Sequence, residues 1–251
     1  MIDIHTHILP HIDDGAKDSQ TSLEICLAEL AQGVDTIVLT PHYYGKKRSP
    51  QQFLEKRAEC FERLREKLPE GLSVRLGAEV HFTGLNMPKA EELCQLAIED
   101  TKYILFEFPF TTLWTRDLFD KVGDFIYDTG YTPIIAHVER YHEVLKNPAL
   151  VSDLVHMGCL IQVNTSAFLE KPTKKFALAL LKHSLVHCLG TDTHNAGERA
   201  PDYAAAKAVV EEAGLGESWN EIQENMQKIL ADEYVELFET KPVKKIFGVY
   251  I

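Results

Sequence analysis

The chain begins with Met1-Ile2-Asp3-Ile4-His5-Thr6-His7, a short apolar run that ends in two histidines separated by one residue. In a β-strand, side chains two residues apart point to the same side, so this run places both imidazoles together. Two neutral imidazoles held in this way supply half of a four-coordinate metal site. The opening strand therefore predicts a metal site at its carboxyl end.

The rest of the chain alternates between apolar runs of strand length and amphipathic segments of helix length. After residues 1–4, the predicted strands are residues 35–39, 73–76, 103–106, 132–136, 159–163 and 185–189. The predicted helices are residues 19–32, 50–68, 89–98, 113–128, 148–156, 173–183, 203–213 and 219–230. Gly33, Gly130 and Gly158 each follow a predicted helix, where left-handed caps are expected.

This alternation predicts an α/β fold with parallel strands and right-handed crossovers. Because the strands are almost continuously apolar, the sheet must be covered on both faces or closed on itself. In a chain of 251 residues, seven such units favour a single-domain barrel with C-terminal helices over a doubly wound open sheet. A basic and aromatic tail, from about residue 240 to 251, is expected to dock on this body.

Composition excludes several classes of function. A formal net charge of −12 argues against nucleic-acid binding, which depends on Lys and Arg that neutralise phosphates. The chain has neither a signal-like opening nor an apolar run of about 18 residues, so we expect a cytoplasmic protein without membrane insertion. Its five cysteines are widely spaced and never form C-x-x-C, which argues against disulfides and thiolate zinc sites and places most of them in the core.

Ionisable residues follow most of the predicted strands. Along the chain they are His5 and His7, then His42, Glu79, Glu107, His137, and finally Asp192 with His194. A lone histidine at a strand end is usually a hydrogen-bonded core or surface residue. In a parallel barrel, however, all strand carboxyl ends open on one face, and buried unpaired ionisable groups would cost several kcal/mol there. The pattern therefore predicts a multinuclear metal site whose ligands suit manganese, iron or zinc.

The order H-x-H, H, E, E, H, D-x-H at strand ends resembles the polymerase-and-histidinol-phosphatase (PHP) superfamily from Met1 to about Pro201. This resemblance implies a distorted seven-stranded (β/α)7 barrel that holds three metal ions. Within the superfamily, the chain resembles the manganese-dependent tyrosine-protein phosphatases encoded with bacterial capsule genes, the CpsB/CapC family. The stretches that carry this resemblance are IDIHTHILP (2–10), DDG (13–15), YILFEF (103–108), PIIAHVERY (133–141), DTHN (192–195) and KKIFG (244–248).

The resemblance implies three divalent ions, with manganese expected and iron or zinc compatible. The implied ligand sets are His5, His7, Glu79 and Asp192 for the first ion; Glu79, Glu107 and His137 for the second; and His42 and His194, with Asp14, for the third. The third set is open to alternatives, since many superfamily members carry S-D-G closer to the H-x-H pair. Here Asp13 and His11 are further candidates.

The expected reaction is hydrolysis of phosphotyrosine by a metal-activated hydroxide, without a covalent phosphoenzyme. Arg140 and Arg199 are placed to grip the phosphate, and His42, His81 or a metal-bound water could assist the leaving group. Cysteine catalysis through a C-x5-R loop is excluded, because no cysteine has an arginine six positions on. The expected partner is a phosphotyrosine-bearing protein, above all a bacterial tyrosine kinase that controls capsule or exopolysaccharide synthesis.

Two other functions fit the same ligand pattern. One is a small-molecule phosphatase of the histidinol-phosphate type, which would share the metal site but need a pocket for an amino alcohol. The other is a noncatalytic PHP module that binds metals or partners without turnover. The complete ligand set argues against the noncatalytic module, and the resemblance to capsule phosphatases favours phosphotyrosine as the substrate.

Overall fold

The computed structural model describes residues 1–83, 87–110, 113–238, 241–246 and 248–251. The barrel strands in this part of the chain are β1 (Ile2–Thr6), β2 (Thr36–Leu39), β3 (His42–Tyr43), β4 (Ser73–Leu76), β5 (Glu79–His81), β6 (Tyr103–Glu107), β7 (Thr132–Ile135), β8 (Leu160–Asn164) and β9 (Cys188–Gly190). All seven predicted strands are present.

The strands form two parallel sheets that together curl into a barrel. One run has the order β1-β2-β4, and a second has the order β3-β5-β6-β7-β8-β9. Only two residues separate β2 from β3 and β4 from β5, so each pair is one strand with a kink. The ring closes where the Asp192 amide donates to the His5 carbonyl and the His7 amide donates to the Thr193 carbonyl, both at 2.9 Å. The predicted barrel is thus confirmed.

The helices that cover the barrel are α1 (Ser19–Ala31), α2 (Pro50–Arg65), α3 (Ala90–Leu93), α4 (Arg116–Thr129), α5 (His142–Lys146), α6 (Ala149–His156), α7 (Lys174–Lys182), α8 (Tyr203–Glu212) and α9 (Gly216–Leu230). Local sequence signals determine where several of these helices begin or end. Ser49 and Gln52 form a capping box at the start of α2, and Gly130 ends α4 with a φ of 68°. The left-handed conformation expected at Gly33 and Gly158 is also present, with φ angles of 81° and 95°.

The core consists of the apolar strand residues and the inward faces of the helices. Strand residues such as Ile4, Ile37 and Ile104 are completely buried. Four of the five cysteines are buried and all five are free thiols, as the sequence predicts. Burial on this scale supplies the hydrophobic free energy that holds the ring closed.

The prediction of a helix over residues 89–98 is wrong, because the helix there is shorter. Only α3 and a 3₁₀ turn at Cys94–Leu96 form there. The Ile98 amide then donates to the Tyr103 carbonyl at 2.8 Å, and the Glu99 amide donates to the Leu76 carbonyl at 2.7 Å. Pairing with the neighbouring strands therefore ends the helix, an effect that local propensity does not report.

The described part of the tail forms an antiparallel hairpin of β10 (Lys245–Ile246) and β11 (Val249–Tyr250), which sequence reasoning did not predict. The Tyr250 ring lies 4.9 Å from the Phe176 ring of α7, so the hairpin docks on the body as expected. Thr240 and Phe247, which belong to the predicted tail, lie outside the described residues. Among the helices of the described residues, none is both long and apolar enough to cross a bilayer.

Gly190 of β9 sits where the closing strands approach most closely. A Cβ atom at this position would lie 2.4 Å from His5 Cβ and 3.1 Å from the His5 backbone nitrogen. No L-amino-acid side chain fits at that separation without moving β1. Gly190 therefore lets β9 close against the strand that carries the first histidine pair.

We expect Gly190→Ala to lower the free energy of unfolding by about 1–3 kcal/mol, because the added methyl group must displace backbone. The control is Gly123→Ala in α4, where a Cβ would meet only Met157 Cε at an ordinary 3.8 Å. Alanine there should raise stability by about 0.5–1 kcal/mol through its higher helix propensity. Urea unfolding of both variants measures the difference, and equal effects would contradict the close approach.

Candidate metal centre

The ionisable residues predicted from strand ends lie together at one mouth of the barrel. All except His42 and Asp14 are at most 5% exposed. They lie at or just beyond strand ends: His5 and His7 at the end of β1, Glu107 at the end of β6, and Glu79 at the kink between β4 and β5. Ligand atoms come within 4.8 Å of one another in three overlapping sets: His5, His7 and Asp192; His42, Glu79 and Glu107; and His7, His42 and His194.

A first group of four atoms surrounds one point. His7 Nε2 lies 3.1 Å from His5 Nε2, and 3.3 Å from both Glu79 Oε2 and Asp192 Oδ1. His5 Nε2 lies 3.5 Å and 3.7 Å from the same two oxygens. Ligand atoms about 2.0–2.2 Å from one ion, at angles of about 90–110°, are themselves about 2.8–3.6 Å apart. The spacing of this group fits one divalent ion.

A second group shares Glu79 with the first. His137 Nε2 lies 2.9 Å from Glu79 Oε1 and 3.7 Å from Glu107 Oε1. Glu79 thus presents its Oε2 to the first group and its Oε1 to the second. A carboxylate placed in this way can bridge two ions about 3.5–4 Å apart.

A third group is open to solvent. His42 Nε2 lies 3.5 Å from Asp14 Oδ1, and His194 Nε2 lies 3.7 Å from the same oxygen. Asp14 is 69% exposed, in contrast to the buried carboxylates of the other groups. His11, an alternative ligand from the sequence, is exposed and makes none of these contacts within the described ranges.

Several buried atoms of the cluster have no hydrogen-bond partner among the described residues, including Glu79 Oε2, His42 Nδ1 and His194 Nε2. His42 Nδ1 lies 2.7 Å from Glu79 Oε2, although the two are not aligned for a hydrogen bond. Each buried unpaired group costs about 1–3 kcal/mol. Divalent cations would supply the missing partners, and a set of nitrogen and oxygen donors without thiolate suits manganese, iron or zinc.

Two outer residues hold the imidazoles in orientation. Asp13 Oδ2 lies 2.9 Å from His7 Nδ1 and accepts the His42 amide at 3.0 Å. Gln162 Oε1 lies 3.2 Å from His5 Nδ1 and accepts the His137 amide at 2.7 Å. Partners of this kind fix the ring and the tautomer of a metal-binding histidine. Because Asp13 is engaged with His7, Asp14 is the better placed candidate for the third group.

Opposing effects set the charges of the cluster. Burial raises the pKa of Glu79, but the charge of His5 and the hydrogen bond from His137 outweigh it and lower the pKa well below its usual value. Burial lowers the pKa of His5 and His7, yet neighbouring carboxylates raise it above the ordinary range. Without metal, protons on these imidazoles therefore balance the carboxylates, and a bound ion must displace them.

His194 differs from the other histidines. Burial and the charge of His7 lower the pKa of His194 to about 4. Its ring is therefore neutral at physiological pH, the form in which imidazole binds a metal. The third group can accept an ion without first losing a proton from this residue.

Two residues of the same mouth have a left-handed backbone conformation. His137 has a φ of 34° and Asp192 a φ of 52°, both in the left-handed region. This conformation costs an ordinary residue about 1–2 kcal/mol. It is maintained by contacts from other strands, since Gln162 accepts the His137 amide and the His5 carbonyl accepts the Asp192 amide. Strain of this kind is typical of functional positions.

Both predicted arginines reach the cluster through Asp192. Arg140 Nη1 lies 2.9 Å and Arg199 Nη2 lies 2.8 Å from Asp192 Oδ2, while Asp192 Oδ1 faces the histidine pair. The arginine side chains are 43% and 41% exposed, so each guanidinium keeps donors free towards solvent. An anion at the mouth would meet two fixed cations.

Aromatic side chains stand beside the cluster, and one of them, Phe110, was not predicted from the sequence. The Phe110 ring lies 5.4 Å from the His137 ring and 5.3 Å from the Tyr141 ring, and the Arg140 guanidinium carbon lies 4.9 Å from the Phe110 centroid. Tyr44 lies 5.3 Å from His42. These rings give the mouth an apolar border.

The sequence gives a signal for one of the two residues that were not predicted, Gln162, but not for the other, Phe110. Gln162 interrupts the apolar strand β8, and that interruption was a usable signal of a special role. Phe110 has no such signal, because an aromatic residue after a strand is equally typical of the core. His81, a predicted candidate for assisting the leaving group, instead lies 3.0 Å from Glu107 Oε2.

Comparison with known proteins assigns the chain to a family. A family model described as capsular polysaccharide synthesis, CpsB/CapC, matches residues 1–234. The tyrosine-protein phosphatase YwqE of Bacillus subtilis (strain 168) is 35% identical over the whole of both chains. The tyrosine-protein phosphatase CpsB of Streptococcus agalactiae serotype III (strain NEM316) is 32% identical, over 94% of this chain and all of that protein.

A solved structure leads to the same family. It comes from work on YwqE of Bacillus subtilis and CpsB of Streptococcus pneumoniae, described as unique metal-dependent tyrosine phosphatases. It superimposes with a TM-score of 0.82 and 32% sequence identity, over 97% of this chain and 100% of the other. The chain therefore belongs to the CpsB/CapC family of capsular polysaccharide synthesis proteins.

Proposed function

We propose that this chain is a metal-dependent phosphatase that hydrolyses phosphotyrosine in proteins. The observation that carries the proposal is the convergence of three ligand groups around one buried carboxylate, Glu79, beside two arginines. Relatives named tyrosine-protein phosphatases support the substrate class. The physiological substrate we propose is a bacterial tyrosine kinase that controls capsule or exopolysaccharide synthesis.

We propose three ions, manganese above all, with the ligand sets His5, His7, Glu79 and Asp192; Glu79, Glu107 and His137; and His42, His194 and Asp14. When bound, divalent cations would supply an activated water and neutralise charge on the phosphate. At the mouth, five carboxylates (Asp13, Asp14, Glu79, Glu107 and Asp192) lie beside the histidines and two arginines. Bound divalent cations would take over the balance of this negative charge from the imidazole protons and would attract a phosphate dianion.

Arg140 and Arg199 would bind the phosphate. Asp192 holds both guanidinium groups in place, which reduces the entropy lost when an anion binds. Their remaining N–H groups can donate to the equatorial oxygens, whose charge grows in the transition state. His42 belongs to the third ligand group, so we assign it to holding an ion next to the reacting phosphate.

The border of the mouth fits an aromatic leaving group. Phe110, which stacks on His137 and lies beneath Arg140, offers an apolar face to a phenyl ring. A phenolate leaves readily, so the residues need not include a strong general acid. We further propose that residues 1–251 form a single catalytic domain, with the tail from about residue 240 docked on it.

The decisive functional test compares a phosphotyrosine peptide with histidinol phosphate on the manganese-loaded protein, before and after chelation. We expect the peptide to be hydrolysed faster and chelation to abolish turnover of both. Preference for the amino-alcohol ester would favour the small-molecule function. Undiminished turnover after chelation would refute metal dependence.

Variants of Glu79 and Asp13 should distinguish a metal ligand from a residue that only orients one. Glu79→Gln removes the shared carboxylate, so we expect activity to fall by more than about a hundredfold and added manganese not to restore it. Asp13→Asn removes only the partner of His7, so metal affinity should fall by about 10–100-fold and excess manganese should restore turnover. Activity and bound metal, measured over a manganese titration, test both. Equal rescue of the two variants would contradict the assignment of Glu79.

Replacing Arg140 should impair phosphate binding but not metal binding. For Arg140→Ala we expect kcat/KM to fall by about 10–100-fold, the loss typical of a charge-assisted bidentate contact, with weaker inhibition by inorganic phosphate. Arg140→Lys should recover little, because an ammonium group cannot form the same fork. Elemental analysis should find the metal content of both variants unchanged. Loss of metal in either variant would make Arg140 a structural partner of Asp192 instead.

A further inference from the structure

A run of three cations, Lys46-Lys47-Arg48, follows β3 shortly after the candidate ligand His42, separated from the two tyrosines by Gly45. Lys46 and Lys47 are exposed and Arg48 is half-buried. Among the described residues, none of the three forms an ion pair with a carboxylate. By contrast, Arg63 and Lys121, on the helices, pair with acidic neighbours four residues away. We define residues 46–48 as the basic loop.

The basic loop borders two cavities that meet at Tyr44. One, of about 480 Å³, is lined by the candidate ligands Asp14 and His42 together with Lys47 and Arg48. The other, of about 250 Å³, is lined by Lys46, Lys47 and His81 among others. Tyr44 lines both cavities. Lys47 and Arg48 thus face the same cavity as the candidate ligands Asp14 and His42, and Lys46 faces the adjoining one.

Tyr44 lies between the basic loop and the candidate metal centre. Its ring lies 5.3 Å from His42 and 5.4 Å from His81, and Lys47 Nζ lies 4.5 Å from the ring centroid. A cation over an aromatic face gains about 0.5–1 kcal/mol at exposed sites, enough to bias the side chain without neutralising it. The charge of Lys47 therefore remains available to an anion in either cavity.

We infer that the basic loop is a subsite for acidic side chains that flank the phosphotyrosine of a peptide substrate. The inference rests on the proposed function, and adds a sequence preference to it. An extended peptide advances about 3.3 Å per residue. Side chains one to three residues from the reacting tyrosine would therefore lie about 3–10 Å from that tyrosine along the peptide. Carboxylates at those positions would meet Lys46, Lys47 or Arg48.

The charge of the whole protein strengthens this inference. With 38 acidic and 26 basic residues, the surface as a whole repels an acidic peptide. A local group of unpaired cations beside the mouth would reverse this repulsion where the substrate enters. An anionic membrane is the less favoured partner, because lipid-binding clusters usually contain four to eight cations, whereas these three line cavities.

The test uses a triple variant with Lys46→Gln, Lys47→Gln and Arg48→Gln. Its matched control is Lys67→Gln, Lys102→Gln and Lys182→Gln, which removes the same charge from exposed positions at the opposite end of the barrel, after α2, before β6 and at the end of α7. The substrates are a phosphotyrosine peptide flanked by glutamates, the same peptide flanked by alanines, and free phosphotyrosine.

We expect the basic-loop variant to lower the ratio of kcat/KM for the glutamate peptide to that for the alanine peptide by about five- to tenfold, mainly through KM. The control variant should leave this ratio unchanged. Raising the salt concentration should reduce the preference of the parent protein, because exposed charges are screened. A peptide with a second phosphotyrosine in place of the glutamates tests whether phosphate serves as well as carboxylate.

An unchanged ratio in the basic-loop variant would overturn the inference. So would equal losses in both triple variants, which would reflect net charge alone. Loss of binding to phosphatidylserine vesicles, with no change in the peptide ratio, would replace it with a membrane contact. Turnover of the alanine-flanked phosphotyrosine peptide by the parent protein tests the proposed function separately. If the parent hydrolyses none of the phosphotyrosine substrates, the proposed function is refuted, whereas an unchanged peptide ratio overturns only the subsite.

Discussion

The structure depends on one buried carboxylate, Glu79, surrounded by imidazoles. Both of its oxygens are buried, and atoms of His5, His7, His42 and His137 lie within 3.5 Å of them. An uncompensated charge at such a position would cost several kcal/mol, so the cluster needs either protons or cations to be stable. Protons satisfy it incompletely, since some buried atoms of the cluster find no hydrogen-bond partner in the described part of the chain. Divalent cations would meet the same need with better geometry.

The barrel brings these residues together because parallel strands all end at the same face. The cluster is then held by contacts between strands remote in sequence, as when Gln162 of β8 orients His5 of β1 and fixes the strained His137 after β7. Gly190 allows the closing strands to approach. The strain at His137 and Asp192 is thus stabilised by the closure of the ring.

Much of this was predictable from the sequence because the signals are local. Each strand is a short apolar run followed at once by a ligand candidate, and its position in the chain gives its position in the barrel. The kinks that divide β2 from β3 and β4 from β5, and the early end of α3, depend on pairing with other strands. The roles of Asp13 and Gln162 likewise depend on the fold, which brings Asp13 beside His42 and Gln162 beside His5 and His137. Ionisable residues at strand ends were therefore found, whereas the orienting roles of Asp13 and Gln162 and the position of Phe110 beside the site were not.

Anomalous diffraction at the manganese edge, from crystals of the manganese-loaded protein, would show whether ions bind at Glu79. At least two peaks about 3.5–4 Å apart are expected, each in contact with a different oxygen of Glu79. A further peak, near His42, His194 and Asp14, is expected for the third ion. An anomalous map with no peak at Glu79, from protein that hydrolyses phosphotyrosine, would refute the shared role of this carboxylate.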